Sequence, residues 1–248
     1  MKKNKILLLS TFIIALVMVT FISCKDSDIH ESANLDEKKI SLQEFETSEN
    51  FSFDSYGEFH NEICEMLMDN KSEYVDVEIY SDKLAIQKSL VFEKLGIQLG
   101  SSNGNLVDAR GEIRDASFDN APNLNIEEIN FLKSLSNEIQ ENDWFADDGV
   151  TQWINHIELK AERAIEMEME NLKKVLACLS IAKHSGILWF NQETNKPQRE
   201  DNLHCLFVAG VEDVAYYAEN CDPGDDPGGL CSGFTALHSL NEYDKCDN

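Results

Sequence analysis

The chain has 248 residues, with 46 acidic and 21 basic side chains, and its formal net charge at pH 7 is −25. Binding to the phosphates of nucleic acids requires a basic surface, so this charge argues against a nucleic-acid partner. It also argues against adhesion of the bare chain to anionic lipid, whereas it favours solubility and leaves a basic partner open.

The first 23 residues have the layout of a secretory signal, because lysines precede a largely apolar run over residues 6–22. Ser23 and Cys24 follow that run, and this join resembles a bacterial lipobox, in which the cysteine is diacylated and becomes the first mature residue. We therefore predict that residues 1–23 are removed and that Cys24 carries a palmitate-type membrane anchor. An uncleaved anchor and ordinary secretion are the alternatives, because the run is just long enough to span a bilayer.

Residues 24–50 are rich in acids and poor in aromatic side chains, which predicts a flexible, acidic tether. Its beginning, Lys25-Asp26-Ser27-Asp28, resembles the charged signal that sends lipoproteins of Bacteroidota to the cell surface; the alternative is a solvated start of the tether. We therefore expect an outer-membrane lipoprotein of the bacterial cell envelope, with exposure at the cell surface as one of two orientations.

Residues 51–220 are expected to form a helical domain, because apolar residues recur there at helical spacing. The periodic segments cover about 53–67, 84–95, 126–139, 150–184 and 203–218. Asn125 and Glu128 form a candidate capping box before the third segment, and Gly186 is expected to end the fourth. Alternation over 75–79 hints at a strand. The pattern predicts an all-α bundle of four to five helices with one long helix.

The chain has seven cysteines, and lipidation of Cys24 would leave six for disulfides in an oxidising compartment. These candidate disulfide cysteines are Cys64, Cys178, Cys205, Cys221, Cys231 and Cys246. A bond between Cys221 and Cys231 would close a loop of about ten residues and stabilise the fold by about 2–3 kcal/mol. Cys64 and Cys178 either bridge two helices or are buried free thiols. We expect residues 221–248 to form a Cys-rich, irregular tail.

Two stretches resemble a family of uncharacterised lipoproteins and secreted proteins of Bacteroidota. "YGEFHNEICEML" at 56–67 resembles their G-x-x-H-N helix start, and "LSIAKHSGILWF" at 179–190 resembles a later helix that leads to a tryptophan. "LFVAGVEDVAYYAE" at 206–219 partly matches their apolar, Asp-containing segment, although the Cys-rich tail replaces the usual glycine-rich run. The resemblance implies a helical fold in the cell envelope and adds no chemistry, because the family has no assigned activity.

His60 and Asn61 are the candidate polar site, in the first turn of a predicted helix. A functional pair would use the imidazole as a base or a ligand and the amide as its hydrogen-bonding partner. The interpretation that we favour is a helix-start pair that holds a neighbouring loop through bonds to its backbone. Because adjacent side chains on a helix point apart, the two residues need not act together.

We predict neither a metal nor a cofactor. Zinc sites use closely spaced Cys and His pairs, and the sequence has none. The three aspartates between Cys221 and Cys231 suggest calcium, but they are equally typical of turns. Glu162, Glu166 and Glu170 share one helical face without the Glu-x-x-His pairs of a di-iron bundle, which favours a solvated acidic face.

The expected function is binding of a protein or ligand by a lipid-anchored, non-enzymatic protein. No nucleophile elbow, phosphate loop, dinucleotide fingerprint or zinc-protease motif occurs in the sequence. One rival is an enzyme with an unrecognised site that involves His60. Another is a competition or immunity factor, suggested by the apolar segment near 206–218.

Overall fold

The computed structural model describes residues 40–99, 117–141, 149–194, 200–221 and 230–246, and these residues form a helical assembly without strands. The all-α prediction is therefore confirmed, but the described residues contain eight α-helices rather than four or five. The helices are α1 Leu42–Glu49, α2 Ser55–Asp69, α3 Tyr80–Leu95, α4 Ile126–Glu141, α5 Gly149–Glu166, α6 Leu172–Thr194, α7 Glu200–Asn220 and α8 Leu230–Cys246. Single 3₁₀ turns cover Lys71–Glu73 and Phe118–Asn120.

Helix α1 occupies residues that we assigned to the tether. Ser41 and Glu44 form a reciprocal capping box at its start, and Asn50 ends it in the left-handed region, with φ 48°. Leu42 and Phe45 pack against the core, because they lie on the same face of the helix. The preceding part of the predicted tether, residues 24–39, and the predicted signal, residues 1–23, lie outside the described residues.

The capping box before α4 is confirmed. The Asn125 side-chain oxygen accepts hydrogen bonds from the backbone N–H groups of Glu127 at 3.0 Å and Glu128 at 3.1 Å. In return, the Asn125 N–H donates a hydrogen bond of 2.9 Å to the Glu128 carboxylate. The other carboxylate oxygen of Glu128 accepts from the Asn171 N–H at 2.7 Å, so this cap also ties the start of α4 to the start of α6.

The predicted long helix is wrong, because two helices, α5 and α6, share the apolar stripe. Between them Glu168 has a φ of 49°, a conformation that α-helices exclude. Ile165 and Met169 are buried on either side of this break, so the hydrophobic period continues through it. Gly186 does not end a helix either. It lies inside α6, where the Trp153 indole nitrogen is 2.2 Å from the position that a β-carbon would occupy.

The prediction of an irregular tail is wrong for its last part, because Leu230–Cys246 forms α8. Phe234, Ala236, Leu237 and Leu240 of this helix are buried. The disulfide between Cys221 and Cys231 is confirmed, with a Cα–Cα distance of 5.8 Å, and it joins the end of α7 to the start of α8.

The other cysteines form no disulfide among the described residues. Cys64 and Cys178 are free, buried thiols, which is the second of the two alternatives given above. The side chains of Cys205 and Cys246, like Cys24, lie outside the described residues.

Four helices form a closed ring at the centre of the fold. Helix α6 packs against α2 and α7, and α8 packs against the other sides of α2 and α7. Helix α5 covers the outer face of α6, and α3 packs on α2. We call α2, α6, α7 and α8 the central bundle. None of the helices in the described part of the chain is long and apolar enough to cross a membrane.

Candidate functional site

The G-x-x-H-N motif places one stripe of α2 against the interior of the central bundle. Gly57, His60 and Cys64 are spaced by three and four residues, so they lie on one face of the helix, and all three are buried. Asn61 borders this stripe and is half-buried. The motif therefore marks a helix–helix contact, and the pair lies in the second turn of α2 rather than in its first.

Gly57 lets the backbone of α2 approach α6 closely. A β-carbon at this position would lie 2.4 Å from the Ser180 carbonyl oxygen and 2.5 Å from the His184 ring. The Gly57 N–H donates a hydrogen bond of 2.9 Å to the Ser180 hydroxyl, inside the bundle. A larger residue would force the two helices apart, because the nearest obstacle is backbone.

The side chains of Asn61 and His60 contact each other although they are neighbours in sequence. The Asn61 amide nitrogen donates to the His184 carbonyl oxygen at 2.8 Å, which ties α2 to α6 a second time. The Asn61 amide oxygen then faces the Nδ1 atom of His60 at 3.1 Å. The pair holds a helix rather than the loop that we expected.

Asp213 of α7 is the centre of a buried polar cluster to which every helix of the central bundle contributes. Its carboxylate accepts hydrogen bonds from the hydroxyls of Ser239 at 2.6 Å and Ser185 at 3.4 Å. The Nδ1 atom of His238 lies 3.4 Å from one carboxylate oxygen, and the Nε2 atom of His60 lies 3.8 Å from the other. We call these five residues the Asp213 cluster.

In the part of the chain that the structure describes, no lysine or arginine pairs with the Asp213 carboxylate. Among the described residues, the cationic groups within 4.0 Å of Asp213 are only the imidazoles of His60 and His238. Burial lowers the pKa of His60, because the charged imidazole loses its solvation, although Asp213 and the bond to Asn61 oppose this. The His60 ring is therefore neutral at pH 7, and the cluster contains a buried carboxylate held by hydrogen bonds.

The buried thiols are not activated nucleophiles. Burial raises the pKa of the Cys64 thiol well above its ordinary value, and the negative charge of Asp213 raises it further. Its sulfur lies 3.9 Å from the His60 Nε2 atom and contacts the Ala236 carbonyl at 3.7 Å. Burial raises the pKa of Cys178 to about 12. Both groups are thus thiols at neutral pH, whereas cysteine nucleophiles react as thiolates.

A second polar network ties the Asp213 cluster to the bundle surface. Asp54, just before α2, accepts from His184 at 3.0 Å and from Lys183 at 2.9 Å, and Lys183 also pairs with Glu158 at 2.8 Å. The hydrogen bond from His184 is the main reason that the pKa of Asp54 falls to about 2, and Lys183 contributes to that shift. His184 therefore connects the two networks, through its carbonyl to Asn61 and through its ring to Asp54.

Sequence reasoning found His60, Asn61 and Cys64 but missed the partners that give them a role. Asp213 is a charged residue within the apolar sequence of α7, and His238 and Ser239 interrupt the apolar sequence of α8. A polar residue at an apolar position of a helix requires a partner, and this was the available signal. Which partner it meets depends on how the helices pack.

The described residues contain no group of three or more His, Cys, Asp or Glu side chains that could hold a metal ion. Glu162, Glu166 and Glu170 are exposed, and the break after α5 places Glu170 outside that helix. The aspartates between Cys221 and Cys231, for which calcium was the alternative to turn formation, lie outside the described residues at positions 222–229.

Comparison with protein-family models, with curated proteins and with solved structures found no match for the chain. The resemblance to the lipoproteins and secreted proteins of Bacteroidota stays a prediction.

Proposed function

We propose that the chain is a lipid-anchored protein of the bacterial cell envelope, and that its helical domain acts by binding a partner. The observation that supports this proposal is the burial of the Asp213 cluster, whose side chains are at most 1% exposed. Catalysis on an external substrate requires reactive groups that the substrate can reach. The groups of the Asp213 cluster instead form hydrogen bonds with one another and hold four helices together.

The chemistry of the surface indicates the class of partner. The chain carries more than twice as many acidic as basic side chains. Removal of residues 1–23 would take away three lysines and no acid, which makes the mature protein still more negative. A negative surface attracts basic partners and accelerates their association. We therefore propose a protein partner with a basic face.

The anchor is tested by replacing its cysteine. In the Cys24→Ala variant the protein should move from the membrane fraction to the soluble or secreted fraction, because no acyl chain can be attached. Cys178→Ala is the matched control, since it removes a buried thiol that carries no lipid, and it should stay with the membrane. Equal partitioning of the Cys24→Ala variant and the wild type would refute the anchor.

Binding is tested by affinity purification of the tagged, full-length protein from solubilised envelope. The expected result is one or a few basic proteins that co-purify at about 50 mM salt and are lost at about 500 mM, where charge interactions are screened. An unrelated helical lipoprotein of similar net charge serves as the control for non-specific adsorption. If the same proteins bind to both baits, the proposal of a specific partner fails.

An enzyme that uses His60 is the second candidate, supported by the position of the imidazole between Asn61 and Asp213. A histidine oriented by a carboxylate or an amide is the arrangement that acid–base catalysis uses. Loss of a hydrolytic activity in His60→Gln, at unchanged stability, would favour this candidate over binding. The apolar segment near 206–218 gives no separate support to a competition or immunity factor, because Val211, Val214 and Ala218 are buried in the central bundle.

A further inference from the structure

The hydrogen bonds of Asn61 fix the position of the proton on His60. The carbonyl oxygen of His184 can only accept, so the Asn61 atom that contacts it at 2.8 Å is the amide nitrogen. The amide oxygen therefore faces the His60 Nδ1 atom at 3.1 Å, and an oxygen that only accepts requires a donor there. His60 consequently carries its proton on Nδ1.

The Cys64 thiol lies 3.9 Å from the His60 Nε2 atom but donates to the Ala236 carbonyl oxygen at 3.7 Å. A neutral His60 ring with its proton on Nδ1 therefore has a bare lone pair on Nε2. That atom lies 3.8 Å from the Asp213 carboxylate, beyond hydrogen-bonding distance, and no proton is available to join these two acceptors. On the other side of Asp213, His238 Nδ1 is 3.4 Å away, and the buried His238 Nε2 atom has no hydrogen-bond partner among the described residues. While His60 is neutral, Asp213 is therefore in hydrogen-bonding contact with Ser185, Ser239 and His238 but not with His60.

We propose that the Asp213 cluster is an acid-sensitive latch, which keeps α2 docked in the central bundle only while His60 is neutral. A proton on the His60 Nε2 atom would point at Asp213 and would need a charge-assisted bond of about 2.7–2.9 Å. The distance between His60 Nε2 and Asp213 would have to shrink by about 1 Å. Asp213 is already fixed, because the Ser239 hydroxyl of α8 donates to it at 2.6 Å. Helix α2 has little room to move closer, because Gly57 lies against the backbone of α6.

Burial makes the His60 ion less favourable in the bundle than in water, and the charged groups around it act in both directions. Asp213 of α7 attracts it, whereas the imidazoles of His184 on α6 and His238 on α8 disfavour it. On α3, Lys83 and Lys88 lie over the rings of Tyr74 and Phe234. Burial outweighs the attraction of Asp213, so proton uptake by His60 accompanies release of α2 from the bundle.

The sign of the pH effect follows from the direction of the His60 pKa. Because the folded pKa lies below the unfolded value of about 6.5, the unfolded chain binds the proton more readily. The stabilisation is fully present above about pH 6.5 and is lost as the pH falls towards the folded pKa. Within that window, the contribution of His60 should raise the unfolding equilibrium constant about tenfold for each unit by which the pH falls.

The first experiment determines the protonation of the His60 ring in the full-length protein in detergent. The ¹⁵N chemical shifts of the ring nitrogens at pH 7 should show a protonated Nδ1 and an unprotonated Nε2. A neutral ring with its proton on Nε2, or an imidazolium at pH 7, would overturn the proposal. This measurement uses the wild type, so it does not depend on the folding of a variant.

The second experiment compares the pH dependence of unfolding in urea between pH 7.5 and 5. His60→Gln should lose about one proton of uptake on unfolding relative to the wild type, whereas His156→Gln, which alters a part-exposed histidine on α5, should keep that uptake. Equal pH slopes for wild type and His60→Gln would contradict the latch.

Hydrogen exchange separates an opening of α2 from a general loss of stability. Between pH 7 and pH 5.5, the protection factors of α2 amide hydrogens in the wild type should fall about tenfold more than those of α5. A parallel fall in both helices would also overturn the proposal, because the latch acts on the docking of α2.

Discussion

Two of the contacts between a histidine and a carboxylate in the described residues have different surroundings. In the central bundle, His60 Nε2 lies 3.8 Å from Asp213, and both side chains are fully buried. Between α4 and α5, His156 Nε2 lies 2.8 Å from Glu138, and about a quarter of each side chain is exposed. Only the second contact has a lysine, because Lys160 binds the other oxygen of Glu138 at 2.8 Å.

The difference shows that burial and a neighbouring lysine, rather than the residue types, decide how the pKa values of such a pair shift. Burial alone would raise the pKa of Glu138, but hydrogen bonds from His156 and Lys160 lower it to about 2. In the bundle no lysine compensates for burial, so the pKa of His60 is lowered despite its contact with Asp213. The surface pair is a charged network, whereas the core cluster is a set of hydrogen bonds around one buried charge.

The largest effect should come from removing the central carboxylate. Asp213→Ala leaves the donors of Ser185, Ser239 and His238 buried without their acceptor, and we expect a loss of about 3–5 kcal/mol in the free energy of unfolding. Urea denaturation at pH 7.5 measures it. Glu138→Ala is the matched control at the surface pair and should cost about 1 kcal/mol. Equal losses would mean that burial does not distinguish the two contacts.

The next largest effect should come from disturbing the close approach of α2 to α6, which helps to place His60 near Asp213. Gly57→Ala would place a methyl group 2.4 Å from the Ser180 carbonyl oxygen, so α2 must shift, at a cost of about 1–3 kcal/mol. Gly210→Ala is the control on α7, because its new methyl group would meet only the Ser185 β-carbon at an ordinary 3.6 Å.

Since alanine has the higher helix propensity, Gly210→Ala should leave stability unchanged or raise it by up to about 1 kcal/mol. Thermal unfolding of both variants decides the comparison. A Gly57→Ala variant as stable as Gly210→Ala would show that the two helices need no close contact.

Local patterns in the sequence predicted those features that depend on neighbours along the chain. The Asn125–Glu128 box is a bond between residues three positions apart, and it forms as expected. The disulfide between Cys221 and Cys231 likewise closes a short loop. In both cases the partner is close in sequence, so chain geometry restricts the alternatives.

The core of the candidate site could not be predicted in the same way, because its contacts join residues distant in sequence. His60 and Asp213 meet only after α2, α6, α7 and α8 have packed. The break at Glu168 was hidden because Ile165 and Met169 continue the apolar period across it. Helix α8 was not predicted, because turn-forming residues precede it. The helical spacing of Phe234, Leu237 and Leu240 was therefore not recognised as a helix.

The smallest effect should separate the two contacts by pH. The folded pKa of Glu138, about 2, lies below its ordinary value of 4.5, so its stabilisation is present above about pH 4.5 and is lost as the pH falls towards 2. Glu138→Gln should therefore cost about 0.5–1 kcal/mol at pH 7 and progressively less below pH 4.5.

Urea denaturation of wild type and Glu138→Gln at pH 7, 5 and 3 measures this window. The cost of the substitution should be the same at pH 7 and pH 5, because Glu138 is ionised in both the folded and the unfolded chain at those values. The loss attributed to His60 begins near pH 6.5, so it falls between these two points. If the cost of Glu138→Gln already declines between pH 7 and 5, the two contacts lose their stabilisation in the same pH range. The distinction between them would then fail.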